Sequence, residues 1–203
     1  IKKEIDMQFK KLQDSGIKIS HVDIHRYALH PTYNPIAYLY LCRKCSKSGQ
    51  IPIRWARNGP FNVGDGITSL CDTENIAKFF AAISDLYKIP IPDYVFKFPY
   101  RNVLLSYDEK KDAFINMLKN LPEGISEVHI HPSIDSEEIR KINPTWKERV
   151  LEYSFMMDDE IEHEINKNNI KLITYKDISK FNNNNNSKMQ SLKSIYKYGL
   201  NYI

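Results

Sequence analysis

The sequence predicts an α/β fold, and three observations carry that prediction. Short β-branched stretches alternate with longer stretches of helical periodicity along most of the chain. The helical stretches space their apolar residues three and four apart, as Ile5, Phe9 and Leu12 do. The strand-like stretches alternate instead: Val22 and Ile24 share one face, while His21, Asp23 and His25 share the other. Elements in this order build a largely parallel sheet with helices packed on it.

Residues 1–15 are expected to be helical, and Gly16 ends the helix as a glycine past the last turn does. "KISHVDIH" reads as the first strand. A loop through Pro31 and Pro35 leads to a second helix in "IAYLYLCRKC". "IPIRWA" is the second strand and "RNGPFNVGDG" a loop. A third helix opens near Thr73, with Glu74 in its first turn, and runs through "IAKFFAAISDLY". "DYVFKF" is the third strand, and "EKKDAFINMLKNL" is a helix that Gly124 breaks. "SEVHIHP" is the fourth strand. Two helices follow between Ser136 and Lys167, the second opening near Pro144. "IKLITY" is the fifth strand, with a short segment from Lys176 to Phe181 after it. Residues 1–181 thus form the body. The Asn-rich run at 182–187 reads as a linker. Residues 188–203 form a C-terminal tail, apolar enough to dock.

A chain of 203 residues can bury one core, or at most two small ones. With 42% hydrophobic and 27% charged residues it is neither disordered nor membrane-spanning in character. A net charge of +4, with basic and acidic residues interleaved, lacks the clustered basic face of a nucleic-acid partner. Cys42, Cys45 and Cys71 do not make a disulfide framework, and no secretion signal accompanies them. A reducing, cytoplasmic setting is the expectation.

Two strands carry the chemistry. "SHVDIH" aims His21, Asp23 and His25 to one side, and "SEVHIHP" does the same with Glu127, His129 and His131. In parallel α/β folds functional groups gather where strands end, so His25 and His131 are expected to face each other across a cleft. A lone buried histidine is usually a hydrogen-bonded core residue. Two matched strands holding four of the six histidines point instead to a metal or acid–base site. Neutral imidazole ligates Zn²⁺ and similar ions, and Asp23 and Glu127 are placed to orient the rings.

Five stretches, "EIDMQF", "SHVDIH", "IPIRWA", "SEVHIHPS" and "RVLEYSFMMDDEI", occur in the order found in YdjC-like carbohydrate deacetylases, the chitooligosaccharide deacetylases among them. Glu4 and Gln8 resemble that family's Glu-x-x-x-Gln helix. Ser20 to His25 resemble its Thr-His-x-Asp-x-His strand, with Ser20 in place of threonine. Glu127, His131 and Pro132 resemble its Glu-x-x-x-His-Pro strand, and Arg149 and Glu152 an Arg-x-x-Glu pair on the next long helix. The resemblance implies a deformed (β/α) barrel and a metal-dependent hydrolase that removes acetyl groups from N-acetylated sugars or oligosaccharides. It implies a metal held by an aspartate and two histidines, the second corresponding to His25. It also implies a histidine near the leaving group, corresponding to His131. Amide hydrolysis needs a protonated leaving amine, which His131 could supply.

In the family the metal aspartate, a base aspartate and the other metal histidine come from an N-terminal strand ending in Asp-Asp and a later Gly-x-His strand. Neither pattern occurs here. The expectation is therefore an incomplete deformed (β/α) barrel of five largely parallel strands plus the C-terminal tail. Its cofactor would be divalent Zn or Mg, its substrate an N-acetylated sugar, and its missing N-terminal segment supplied in cis or in trans. Open strand edges would favour a homo-oligomer or an edge covered by the tail. The alternative reading is a non-catalytic remnant that binds a glycan or a protein. A third is a metal hydrolase of esters or phosphoesters on a similar barrel.

Lesser features complete the reading. "CRKC" lacks the two further ligands of a structural zinc, so Cys42 and Cys45 read as ordinary helix cysteines. Gly64 to Gly66 lack a Gly-rich phosphate fingerprint. Arg54 ends its strand and could face the same mouth, and His30 lies in the loop beyond His25. Trp55 and Tyr100 stand beside arginines, where a sugar ring could stack. His163, among Glu160, Glu162 and Glu164, reads as exposed.

Overall fold

A computed structural model describes residues 1–25, 29–30, 33–64, 68–69, 73–98, 106–181 and 188–199. Its elements are α1 (Lys2–Asp14), α2 (Pro35–Lys47), β1 (Thr68–Ser69), α3 (Glu74–Leu86), β2 (Tyr94–Lys97), α4 (Tyr107–Lys119) and β3 (Ser126–His129). They continue with α5 (Glu137–Ile142), α6 (Trp146–Met156), α7 (Asp159–Lys167), α8 (Tyr175–Phe181) and α9 (Lys188–Gly199). None of these helices is long and apolar enough to cross a membrane.

Most helices start where a side chain satisfies their first amides. Asn34 caps α2 ahead of Pro35, Thr73 caps α3, Ser136 caps α5 and Asp158 caps α7. Ser106 and Glu109 form a reciprocal capping box on α4. Gly16, at φ 71, closes α1, and its amide donates to the Gln13 carbonyl. Three helices, rather than two, fill residues 137–167, because Pro144 separates α5 from α6 and the Asp158 cap restarts the chain at α7.

The chain divides into two compact units. The first comprises residues 1–59, 71–94 and 173–203. Its core joins Ile5 and Phe9 of α1, Tyr38, Leu41, Cys42 and Cys45 of α2, and Ala77 and Phe80 of α3, with Ile53, Trp55, Ile89 and Ile91 between them. The buried Tyr38 hydroxyl is paired with Ser84 Oγ at 2.7 Å. α9 packs against α3, and its Ile195 joins this core. The second unit comprises residues 60–70 and 95–172. Phe98, Phe114 and Phe155 meet there with ring centroids 5.3 to 5.7 Å apart, and α4 packs on α6 and α7.

The sheet departs from the sequence expectation. Its described strands run in the order β1-β2-β3. β1 lies antiparallel to β2, Thr68 opposite Lys97 and Ser69 opposite Phe96. Of the five expected strands, "DYVFKF" and "SEVHIHP" contain β2 and β3. "KISHVDIH" and "IPIRWA" are joined by a single parallel bridge, Val22 to Ile53. Residues 170–174 carry no strand, and Tyr175 opens α8. The described residues therefore show three sheet strands and one bridge, not the five strands of the expected barrel. Alternation predicts an extended chain. A strand also needs a neighbour to bond with, and alternation says nothing of that.

Candidate functional site

The first unit carries His21, Asp23, His25 and Arg54. The Val22 amide donates to the Pro52 carbonyl at 2.8 Å, and the Arg54 amide donates to the Val22 carbonyl at 2.9 Å. These bonds fix the facing of the segment. Val22 and Ile24 lie against the core, while Asp23 and His25 are exposed. Arg54 Nη1 sits 2.9 Å from Asp23 Oδ2, so the two form an ion pair. His21 is engaged elsewhere: its ring stacks on Tyr175 of α8 at 4.2 Å and 9°, and its Nδ1 is 3.0 Å from Ser20 Oγ. His30 meets the edge of Trp55 at 4.8 Å. Trp55 is only 6% exposed, so it packs in the core and offers no open stacking face. Tyr100 and Cys71 fall outside the described residues.

The second unit carries Glu127, His129 and His131. β3 is held to β2 through the His129 carbonyl, which accepts from the Phe98 amide at 3.2 Å. His129 Nε2 lies 3.7 Å from Glu127 Oε1, near enough for an ion pair when the ring is protonated. The His131 amide donates to Glu152 Oε2 at 2.5 Å, and the Ser133 amide to the Arg149 carbonyl at 3.0 Å. Arg149 and Glu152 thus hold the chain just beyond β3. Burial pushes the Glu152 carboxyl up, against the opposing pull of the His131 amide, Lys110 and Arg149. Glu148, one turn earlier on α6, and Lys110 of α4 are buried as well.

Zn²⁺ takes three or more protein ligands in most sites. Among the described residues no three His, Cys, Asp or Glu side chains converge in that way. His25 offers one imidazole, and its nearest carboxylate along the strand, Asp23, is paired with Arg54. Cys42 and Cys45 are free, buried thiols, as ordinary helix cysteines are. Burial pushes the Cys42 thiol up to about 12.

A family model described as "YdjC-like protein" matches residues 1–167. The chain belongs to the YdjC-like family. It is also 25% identical over 177 residues to a carbohydrate deacetylase of Thermoanaerobacter pseudethanolicus (strain ATCC 33223 / 39E). That match covers 86% of this chain and 58% of the relative, so the chain spans a little under three fifths of the relative's length.

This YdjC-like chain shows contacts its sequence did not announce. Arg149 and Glu152 stand in the sequence as a motif with no task attached. The spacing Arg-x-x-Glu, which puts both residues on one helical face, was the signal available. The stacking of Tyr175 on His21 left no such signal, because residues 170–175 read as a strand.

Proposed function

We propose that this YdjC-like chain is part of a deacetylase that hydrolyses the acetamido group of N-acetylated sugars or oligosaccharides. The observation that carries the reading is the family match over residues 1–167, supported by likeness to a relative described as a carbohydrate deacetylase. In the reaction water adds to the acetamide carbonyl, the C–N bond breaks and acetate leaves. The departing sugar amine must take up a proton, and His131 is the proposed donor. Arg54 and Asp23 orient the substrate on the first unit, while Glu127 and His129 of β3 support His131 just beyond it. The reading requires a divalent metal, Zn²⁺ or Mg²⁺, with His25 as one ligand. The remaining ligands come from a segment supplied in cis or in trans. The buried free thiols favour a reducing, cytoplasmic setting.

A second reading is a non-catalytic remnant that binds a glycan or a protein. Acetate release from N-acetylglucosamine oligomers separates the two. It is measured with Zn²⁺ or Mg²⁺, on this chain and on the polypeptide extended upstream of Ile1. Release that needs the metal and falls at least a hundredfold in His131→Ala supports the enzyme. Oligomer binding by calorimetry with no release from either polypeptide supports the remnant.

A further inference from the structure

The turn His131-Pro132-Ser133 carries two backbone N–H groups, since proline has none. One turn of α6 takes both: Glu152 Oε2 accepts from His131, and the Arg149 carbonyl accepts from Ser133. A turn needs no charge for this, because any carbonyl, hydroxyl or water satisfies an amide. Here the acceptor is a carboxylate on a residue with 0% of its surface exposed. Its other oxygen, Oε1, is buried with no hydrogen-bond partner among the described residues. Leaving one oxygen of a buried carboxylate without a partner is costly. The demands of the turn do not account for that cost.

We propose that Glu152 is a positioning residue for His131: it fixes the backbone that bears the imidazole and places a negative charge at that residue, favouring the protonated ring a proton donor needs. The proposal rests on the reading of His131 as the donor to the leaving amine. In a poorly solvated setting a neighbouring carboxylate stabilises imidazolium more than it does in water. The other charged or titratable groups around the pair are Glu127 and His129 on β3, Lys110 on α4, and Glu148 and Arg149 on α6. Burial disfavours the ionised form of Glu152 most, and Glu148 adds to it, while the His131 amide, Lys110 and Arg149 favour that form.

The test follows the His131 ring and backbone amide by nuclear magnetic resonance against pH, in the full chain and in Glu152→Gln. In the parent, the His131 amide proton shift is expected to carry an inflection from ionisation of Glu152. In Glu152→Gln the His131 ring is expected to bind its proton at least about threefold more weakly. The His163 signals serve as an internal control. Two outcomes would overturn the proposal: an unmoved His131 titration in a variant whose circular dichroism is intact, or a parent amide that does not sense Glu152. The parent measurement decides the matter even where the variant fails to fold. Neither readout needs turnover, so absence of acetate release from both this chain and the extended polypeptide would bring down the deacetylase reading and leave this result standing on its own.

Discussion

Arg54 and Asp23 clasp one another beside the Val22–Ile53 bridge, each one residue past a bridging partner, with Nη1 and Oδ2 2.9 Å apart. Their side chains are 25% and 34% exposed, so solvent screens the attraction. The pair contributes about 0.5 kcal/mol to stability. Asp23→Asn should therefore shift the urea midpoint only slightly; with the proposed role of the pair in orienting substrate, it should also lower acetate release tenfold or more. A large loss of stability with activity intact would assign the pair to the scaffold instead.

Gly59 is fixed by contact. A methyl group there would come within 2.3 Å of Glu74 Cα and 2.6 Å of its amide nitrogen, and backbone atoms cannot move aside cheaply. The Gly59 amide also donates to Glu74 Oε2 at 2.9 Å, tying it to the first turn of α3. Gly59→Ala should cost about 2–3 kcal/mol. Gly49→Ala, in open space at φ 101, should cost about 1 kcal/mol through backbone strain alone. Thermal or urea denaturation of the two variants side by side checks the order.

The buried thiols of α2 should be silent in the folded protein. With Cys42 pushed up to about 12 and Cys45 raised for the same reason, neither forms thiolate near neutral pH. Iodoacetamide at pH 8, followed by mass mapping of the α2 peptide, should label neither residue until urea unfolds the first unit. Rapid labelling in buffer would mean that α2 opens locally.

Acid should loosen the second unit through Asp158. This residue caps α7, accepting from the Tyr107 hydroxyl at 2.6 Å, the Glu160 amide at 3.0 Å and Lys111 Nζ at 3.2 Å, which in that order hold its carboxyl down at about 2. A carboxyl depressed on folding stabilises the fold in its ionised form. That contribution is complete above about pH 4, the usual aspartate value. It is lost as the pH falls through about 2. Asp158→Asn keeps a capping side chain but carries no charge. Its stability should depend less steeply on pH between 4 and 2 than that of the parent. Parallel slopes would remove Asp158 from the acid response.

Helices were far more legible than sheets. Ile5 and Phe9, Tyr38 and Leu41, and Ala77 with Phe80 announce their helices because each buried stripe repeats within a single segment. A strand is completed by a partner far away in sequence, and "IKLITY" shows the consequence. It alternates, yet Leu172 is 76% exposed, and Tyr175 turns the chain into α8. The same limit applies to the candidate site. The outward facing of Asp23 and His25 follows from alternation along one segment, and the structure places them so. The grip of Glu152 on His131 depends on how α6 lies against the end of β3, which neither segment encodes alone.

The packing of α9 on α3 also bears on how the protein is made. The first unit draws on residues 1–59, 71–94 and 173–203, and the second on residues 60–70 and 95–172, so the two alternate along the chain. During synthesis the ribosome releases every residue of the second unit before it releases Ile195. The second unit can close while the chain is still growing. The first unit must wait with part of its α3 surface uncovered, and in that interval it depends most on chaperones.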